Sequence, residues 1–414
     1  MSVKYKEMSK TRKIFALVAL MISAVCGMAD MVITPIAANM YEVFAAAPVA
    51  LVDFGITGAV IVGLPFLVVS GWACDKFNKR SVMLFGFIVM TLSTVFGAVY
   101  ANVYYWVGCR IVCGIAWSFT NTASFAILAD MFDDEGDHGK MVGWYNAAMS
   151  VLGAFLSFAA GQFALGGWQQ AYLAYLIFIP ALVLLILFLP SCPPVAKTAD
   201  EQAAAASDEK DESTEATKGW WKAVLPLAIQ VFFIAICYFQ VLYMISLFVT
   251  DAGIGDEAFS GTLASVATIA AVLSSMVFGL VFKRLKNAVY LPGILVIGIG
   301  FIAMSFFPSV PVALVCIALM GASWPFYYCF FYTYATELVP AARAGSATSL
   351  VGFSDTLAMT LSSYLFTGLM AGTGFGAVTV WSYFGWIMLI VFVISLIVFF
   401  VRKAASKAQE QDCE

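Results

Sequence analysis

Three ionisable side chains lie within long apolar stretches of the sequence, where a charge is costly. Asp30, Arg110 and Asp355 each have mostly apolar or small neighbours along the chain. Even lenient insertion scales give an ionised side chain at bilayer depth a cost of about 2.5–3.5 kcal/mol. These residues are therefore candidates for binding a solute or for moving a proton.

Asp30 and Arg110 are expected to form an ion pair. They lie at a similar distance from the middle of their apolar stretches and on the same side. A lone buried charge is less stable than a paired one. The pair has two interpretations, which the sequence leaves equally open: a static strut between two helices, or a working element of coupling.

Asp355 differs, because no basic residue lies at its depth. Taking a carboxylate out of water without a cation is unfavourable, so this side chain is expected to bind a proton or a cationic solute as its surroundings alternate between wet and dry. The alternative is a permanently protonated group that forms a hydrogen bond with a neighbouring helix.

The composition indicates the elements that must position these charges. Of 414 residues, 62% are hydrophobic and 11% are charged, whereas soluble domains carry about 25% charged residues. A soluble enzyme or nucleic-acid binder is thereby excluded. The apolar runs are continuous rather than alternating, which favours membrane-spanning helices of about 20 residues each. Twelve spans are predicted, at residues 14–35, 51–70, 81–101, 104–129, 142–163, 169–189, 222–249, 259–281, 288–307, 312–334, 346–369 and 379–401.

The basic residues test this assignment. Apart from Arg110, and Lys222 at the very start of the seventh span, every Lys and Arg lies in a terminal segment or in alternate connections between spans, while the other connections carry acids such as Glu42 and Asp251. The positive-inside rule then places both termini in the cytoplasm. Helical spans with this bias predict a multi-pass protein of the cytoplasmic (inner) membrane.

A charged segment divides the chain. Residues 190–221 contain few bulky apolar side chains and many charges, a composition typical of a disordered linker. We therefore predict an N-terminal six-helix bundle at 1–189, a cytoplasmic linker at 190–221, and a C-terminal six-helix bundle with a short cytoplasmic tail at 222–414.

The two halves repeat each other. The fourth span contains GIAWSF from Gly114, and the tenth contains GASWPF from Gly321. Asp130 and Glu337 end these spans at corresponding positions. A duplicated unit with both copies in one orientation is a recurring plan of transporters, in which the halves meet around a central site.

Two motifs carry a family resemblance. The loop GWACDKFNKR at residues 71–80 resembles the G-x-x-x-D-(R/K)-x-G-(R/K)-(R/K) signature of the major facilitator superfamily, and RIVCG from Arg110 is similar to its R-x-x-x-G motif. The resemblance implies two pseudo-symmetric six-helix bundles and secondary transport by alternating access. Three features depart from the pattern: Asn78 replaces a glycine, Lys283 replaces an Asp in the second copy, and the fifth span lacks the Gly-Pro signature of drug/proton antiporters.

The resemblance also implies a cavity lined mainly by the first, fourth, seventh and tenth spans. On the last three of these spans, polar and aromatic residues recur three or four apart and so share a face. Aromatic walls with few charges suit a modest-sized organic solute better than a sugar, although any single ring has packing as its alternative role. The predicted lining residues are Trp117, Asn121, Gln240, Tyr243, Trp324, Tyr327 and Tyr328.

The loop at residues 71–80 is predicted to act in gating. Its partner, implied by the resemblance, is the start of the eleventh span at Gly345–Ser346, where a carboxylate would face a positive helix N-terminus and favour the state closed to the cytoplasm. The alternative is that its cations only fix topology. The predicted gating residues are Gly71, Asp75, Lys76, Lys79 and Arg80.

The sequence as a whole predicts a secondary active transporter that moves a small organic solute with protons and works as a monomer in the lipid bilayer. We expect no metal, cofactor or nucleic-acid partner. The alternatives are a multidrug-type efflux pump and an uncoupled organic-anion exchanger or facilitator. An enzyme is disfavoured because no catalytic motif is present, and a channel because the unlike halves repeat no selectivity element.

Overall fold

The computed structural model describes residues 8–132, 135–193, 219–285, 288–339 and 344–411, and in these ranges helices are the only regular secondary structure. A short helix, Ile245–Ala252, follows the helix Trp220–Tyr243. The main helices are α1 Lys10–Val43, α2 Val49–Lys76, α3 Lys79–Ala98, α4 Val103–Met131, α5 Glu135–Ala164, α6 Trp168–Phe188, α7 Trp220–Tyr243, α8 Glu257–Leu285, α9 Tyr290–Phe306, α10 Val310–Glu337, α11 Ala344–Thr373 and α12 Ala377–Gln411.

The helices fit the predicted membrane spans. Within the described ranges, 10 helices are long and apolar enough to cross a membrane. The shorter α9 and the long α11 correspond to the other two predicted spans. Large apolar side chains face outward on many helices, with Val68 78% and Met276 77% exposed. A surface of this kind is stable against lipid and not against water.

Local sequence signals set several helix ends. The side-chain oxygen of Asn102 accepts hydrogen bonds from the first backbone N–H groups of α4, and Asn78 caps α3 in the same way. Such caps satisfy donors that the helix itself leaves unpaired. Between α11 and α12, Gly374 adopts a φ of 70°, a left-handed conformation that residues with a side chain rarely adopt.

The sequence repeat corresponds to a repeated helix contact. A Cβ atom on Gly114 would lie 1.9 Å from the carbonyl oxygen of Ala59, so α4 and α2 approach at backbone distance. Gly321 has the same relation to Ala267, at 2.2 Å, between α10 and α8. Only glycine permits this approach, because any side chain would overlap the neighbouring backbone.

The described residues cluster into two compact units. The first comprises those within Met1–Glu209, Tyr243–Ser246 and Gly255–Ser265, and the second those within Lys210–Leu242, Leu247–Ile254 and Val266–Glu414. Residues 194–218 of the predicted linker lie outside the described ranges, and the predicted domain limits stay a prediction.

Candidate functional site

The first unit contains the ion pair that the sequence predicts. Arg110 on α4 donates from Nη2 to Asp30 Oδ1 on α1 over 2.5 Å. The arginine side chain is 4% exposed and that of the aspartate 16%. Two charges therefore neutralise each other at a depth where neither is stable alone.

The backbone around this pair departs from regular α-helix in two places that the sequence did not predict. Residues Ala24–Val32 of α1 wind as a 3₁₀ helix with non-helical torsions at Met28, and Phe54–Gly58 of α2 form a turn of π-helix. In such segments the backbone hydrogen bonds are spaced by three or five residues instead of four. Side-chain donors contact carbonyl groups in both segments.

Arg110 and Tyr175 are the donors of these contacts. The arginine Nε donates to the carbonyl of Gly55 at 2.8 Å, and Nη2 lies 3.3 Å from the carbonyl of Ile56. The hydroxyl of Tyr175 on α6 donates to the carbonyl of Ala29 at 2.7 Å. The ion pair thus holds together three helices, two of which depart locally from regular α-helix.

Asp53 is a buried carboxyl group that the sequence pattern did not single out. It is 2% exposed on α2 and accepts a hydrogen bond from the hydroxyl of Tyr41 at 2.6 Å. Its position near the end of an apolar run resembled that of a loop acid, which is why the pattern alone did not identify it. It lies two residues before Gly55, an acceptor of Arg110.

The predicted lining residues of α4 lie on a half-buried face. Trp117 and Asn121 are both partly exposed. The hydroxyls next to them bond within their own helix, since Thr120 donates to the carbonyl of Trp117 and Ser124 to that of Thr120. Trp117 and Asn121 are therefore the side chains of this face that stay predicted solute contacts.

The predicted residues of α7 are buried. Gln240 donates to the carbonyl groups of Ile236 and of Ser362, both at 2.9 Å, and so links α7 to α11 in the second unit. Tyr243 is 2% exposed and belongs to the first unit. Gln240 thus has a structural role, and its contact with the solute stays a prediction.

The predicted residues of α10 form a stack that includes a ring the sequence pattern did not single out. The rings of Trp324 and Tyr238, the latter on α7, are 4.2 Å apart at 26°. Tyr327 meets Trp324 edge-on at 4.5 Å, and Tyr328 stacks on it at 5.4 Å. Tyr238 belongs to an apolar run on another helix, so sequence spacing gave no sign of this contact.

Asp355 lies next to this stack. Its Oδ1 atom is buried and makes no hydrogen bond within the described part of the chain. It interacts electrostatically with the hydroxyl groups of Tyr327, Tyr328 and Tyr332. The ion pairs found among the described residues are Lys79–Asp130 and Asp30–Arg110, so Asp355 has no cationic partner there.

The predicted gating loop divides into two parts. Asp75 and Lys76 are exposed, and the ammonium group of Lys76 lies 4.8 Å from the ring centre of Trp72. Lys79 binds Asp130 at the end of α4 over 2.6 Å, and Arg80 donates to the carbonyl of Ile186. Gly71 has open space around it. The side chain of Ser346, in the predicted partner of Asp75, lies outside the described part of the structure.

Asn78 explains one departure from the family motif. Its amide donates to Ser191 Oγ at 2.6 Å, and its Oδ1 accepts from the backbone N–H of Cys192 at 3.2 Å. The segment after α6 is thereby fixed to the start of α3. A glycine at this position would form neither bond.

Among the described residues, no group of three or more His, Cys, Asp or Glu side chains is arranged to hold a metal ion. None of the curated proteins matches the chain in sequence. The family model of the Major Facilitator Superfamily matches residues 19–363.

Solved structures share the fold at low sequence identity. A bacterial homolog of the human lysosomal transporter Spinster superposes with a TM-score of 0.71 at 14% identity, over 94% of this chain and 96% of that one. A POT family transporter in complex with 5-aminolevulinic acid gives 0.72 at 10% identity, over 92% and 95%. A D-xylose-proton symporter gives 0.71 at 18% identity, over 92% and 96%.

Proposed function

The chain belongs to the Major Facilitator Superfamily, and on this premise we propose that it is a secondary active transporter, coupled to protons, for a small organic solute. In this proposal it works by alternating access as a monomer of the cytoplasmic membrane, with both termini on the cytoplasmic side. The charge bias of the loops supports this orientation.

The observation that carries the proposal is the carboxyl group of Asp355. One of its oxygens is buried and without a hydrogen bond in the described part of the chain. A carboxylate at this depth becomes stable by taking up a proton or a cation, and it becomes charged again when water reaches it. A transport cycle that alternately wets and dries Asp355 would therefore move a proton.

The structural neighbours support coupling as a reasonable hypothesis. One is a D-xylose-proton symporter by its description, and another binds 5-aminolevulinic acid. These are properties of those proteins, and at such identities the likeness to this chain extends to the fold. The proposal for this chain therefore depends on its own residues.

In this proposal Asp30 and Arg110 control the shape of the first unit. The arginine contacts α1 through Asp30 and α2 through the carbonyl of Gly55. Loss of either contact would free the irregular segment of α1 or that of α2 to change its conformation. In this way the ion pair can take part in coupling. Because the arginine charge is already balanced by Asp30, an uncoupled organic-anion exchanger is the less favoured alternative.

Reconstitution tests the proposal. The purified protein is placed in liposomes that contain a pH-sensitive dye, and gradients of organic cations, organic anions, neutral aromatics and sugars are imposed in turn. The wild type is expected to move protons with one class in a saturable manner. Asp355→Asn is expected to lose the proton flux, whereas Glu42→Gln, a change at an exposed acid, keeps it.

Two results would contradict the proposal. Solute movement that does not saturate would indicate a channel. Saturable solute movement without any proton flux in the wild type would indicate a facilitator, and Asp355 would then have no coupling role.

A further inference from the structure

The second unit contains an aromatic cluster, which we define as Tyr238, Phe239, Trp324, Tyr327, Tyr328 and Tyr332. Trp324 lies at its centre, with its ring centroid 4.2 Å from that of Tyr238 and 5.4 Å from that of Tyr328. Phe239 meets it at an angle, with centroids 5.4 Å apart. Tyr328 continues the row to Tyr332, with centroids 4.5 Å apart.

The rings differ in burial, and this separates a backing layer from an accessible one. Tyr238 and Tyr327 are 3% and 1% exposed. Trp324, Tyr328 and Tyr332 are each only half-buried. The buried rings hold the others in place, and the half-buried rings keep part of their surface uncovered within this unit.

A carboxyl group accompanies the accessible rings. Asp355 on α11 interacts electrostatically with the hydroxyls of Tyr328 and Tyr332. A close approach of α10 and α11 places it there, since the Tyr332 hydroxyl lies 3.1 Å from where a Cβ atom on Gly352 would be. Gly352 precedes Asp355 by about one helical turn. The approach therefore brings the aspartate to the end of the aromatic row.

We propose that Asp355 and the half-buried rings of the aromatic cluster recognise the cationic end of the solute, an ammonium group attached to an apolar body. The inference deepens the proposed transport function and rests on it. Ring faces are electron-rich and attract cations, and the attraction grows where water is excluded. The carboxyl group of Asp355, with one buried oxygen that makes no hydrogen bond in the described part of the chain, adds a negative charge when it is ionised, and an ammonium group would neutralise that charge.

Other solute classes fit this chemistry less well. An organic anion would meet the like charge of Asp355 and the negative faces of the rings. A sugar requires several amide or carboxylate partners, whereas the cluster offers hydroxyls at the edges of rings. A neutral aromatic solute would stack on the rings but leave Asp355 without a partner.

Direct binding to the purified full-length protein tests the inference. The probe is benzyltrimethylammonium, whose charge does not change with pH, compared with neutral benzyl alcohol and anionic phenylacetate, each measured by calorimetry. The wild type is expected to bind the cation at least about tenfold more tightly than the other two. Asp355→Asn and Trp324→Leu are each expected to weaken cation binding by about tenfold or more.

Matched variants separate recognition from damage to the fold. Trp386→Leu removes a tryptophan of α12 that is 52% exposed, and Glu42→Gln removes an exposed carboxylate; both should bind like the wild type. Trp324→Phe keeps a ring and is expected to recover part of the affinity that Trp324→Leu loses. Equal binding of the cation and the alcohol, or unchanged cation binding in Asp355→Asn, would overturn the inference.

The binding and transport experiments distinguish a failure of this inference from a failure of the proposed function. Proton-coupled transport of a sugar or an anion without cation binding would sustain the proposed function and refute this inference. Cation binding that depends on Asp355, without gradient-driven transport in liposomes, would sustain this site and refute the proposed function.

Discussion

The guanidinium group of Arg110 donates to the carbonyl oxygen of Gly55 at 2.8 Å while it also binds Asp30. The carbonyl belongs to a π-helical turn of α2 and the carboxylate to the 3₁₀ segment of α1. One buried cation therefore binds acceptors from two helices that depart from regular α-helix at these positions. The ion pair and the helix distortions form one structural element.

Removal of either member of this pair should destabilise the protein strongly. Asp30→Asn and Arg110→Gln each leave a buried charge without its partner, which costs about 3–5 kcal/mol. The double variant should lose less than the sum of the two. Unfolding in detergent measures these free energies. The same set of two single variants and one double variant at Lys79 and Asp130, whose side chains are 15% and 25% exposed, should give a coupling free energy of about 1 kcal/mol or less.

The double variant also decides between the two interpretations of the pair. If the pair is a static strut, a double variant that recovers stability should recover transport with it. If the pair is a coupling element, transport should stay lost while stability returns. Liposome flux and unfolding measured on the same preparation distinguish the two.

The buried Asp53 should depend on its tyrosine partner. Tyr41→Phe removes the donor of the 2.6 Å hydrogen bond and keeps the ring. A buried acceptor deprived of a donor costs about 1–3 kcal/mol, so the melting temperature should fall. Tyr104→Phe is the control, because Tyr104 is 70% exposed. Equal melting temperatures for the two variants would show that this bond adds nothing to stability.

The contact between α5 and the beginning of α8 should not tolerate a side chain. A Cβ atom on Gly161 would lie 2.7 Å from the carbonyl oxygen of Glu257 and 3.1 Å from the Cα atom of Gly261. Gly161→Val should therefore cost about 1–3 kcal/mol through overpacking. Gly143→Val on the same helix meets open space and should not destabilise the protein, because valine has a higher helix propensity than glycine. Thermal unfolding of both variants makes the comparison.

The segment after α6 should protect a cysteine. Burial raises the pKa of the Cys192 thiol to about 11, and the nearby carboxylate of Asp130 contributes to the rise. Because the thiolate is the reactive form, alkylation of Cys192 should be slow at neutral pH. It should accelerate about tenfold per pH unit until the pH approaches the pKa. Mass spectrometry of the modified peptide follows the reaction.

Asn78 is expected to maintain this protection. Asn78→Gly removes the bonds to Ser191 and Cys192, so Cys192 should react faster at every pH. Asn102→Gly removes an equivalent cap from α4 and should leave the rate unchanged. An unchanged rate in Asn78→Gly would mean that other contacts hold this segment.

The sequence predicted the parts of the site that follow from local properties. Hydropathy located the helices, and the cost of an unpaired charge in an apolar span was enough to pair Asp30 with Arg110. The same logic selected Asp355. It did not select Asp53, because an acid near the end of an apolar run has the same pattern whether its carboxyl group meets water or Tyr41.

What the sequence by itself determined is the class of protein: a duplicated membrane protein of apolar helices with three charges at depth. These features depend on composition and spacing along one chain, because each residue contributes its own free energy of transfer from water into the membrane. The tertiary structure decided which groups contact these three side chains. Three features depend on which helices are neighbours. They are the non-helical torsions of α1 at Met28, the π turn that supplies acceptors to Arg110, and the stacking of Tyr238 on Trp324. Those neighbours are chosen by packing between distant segments, and spacing along one chain does not contain that information.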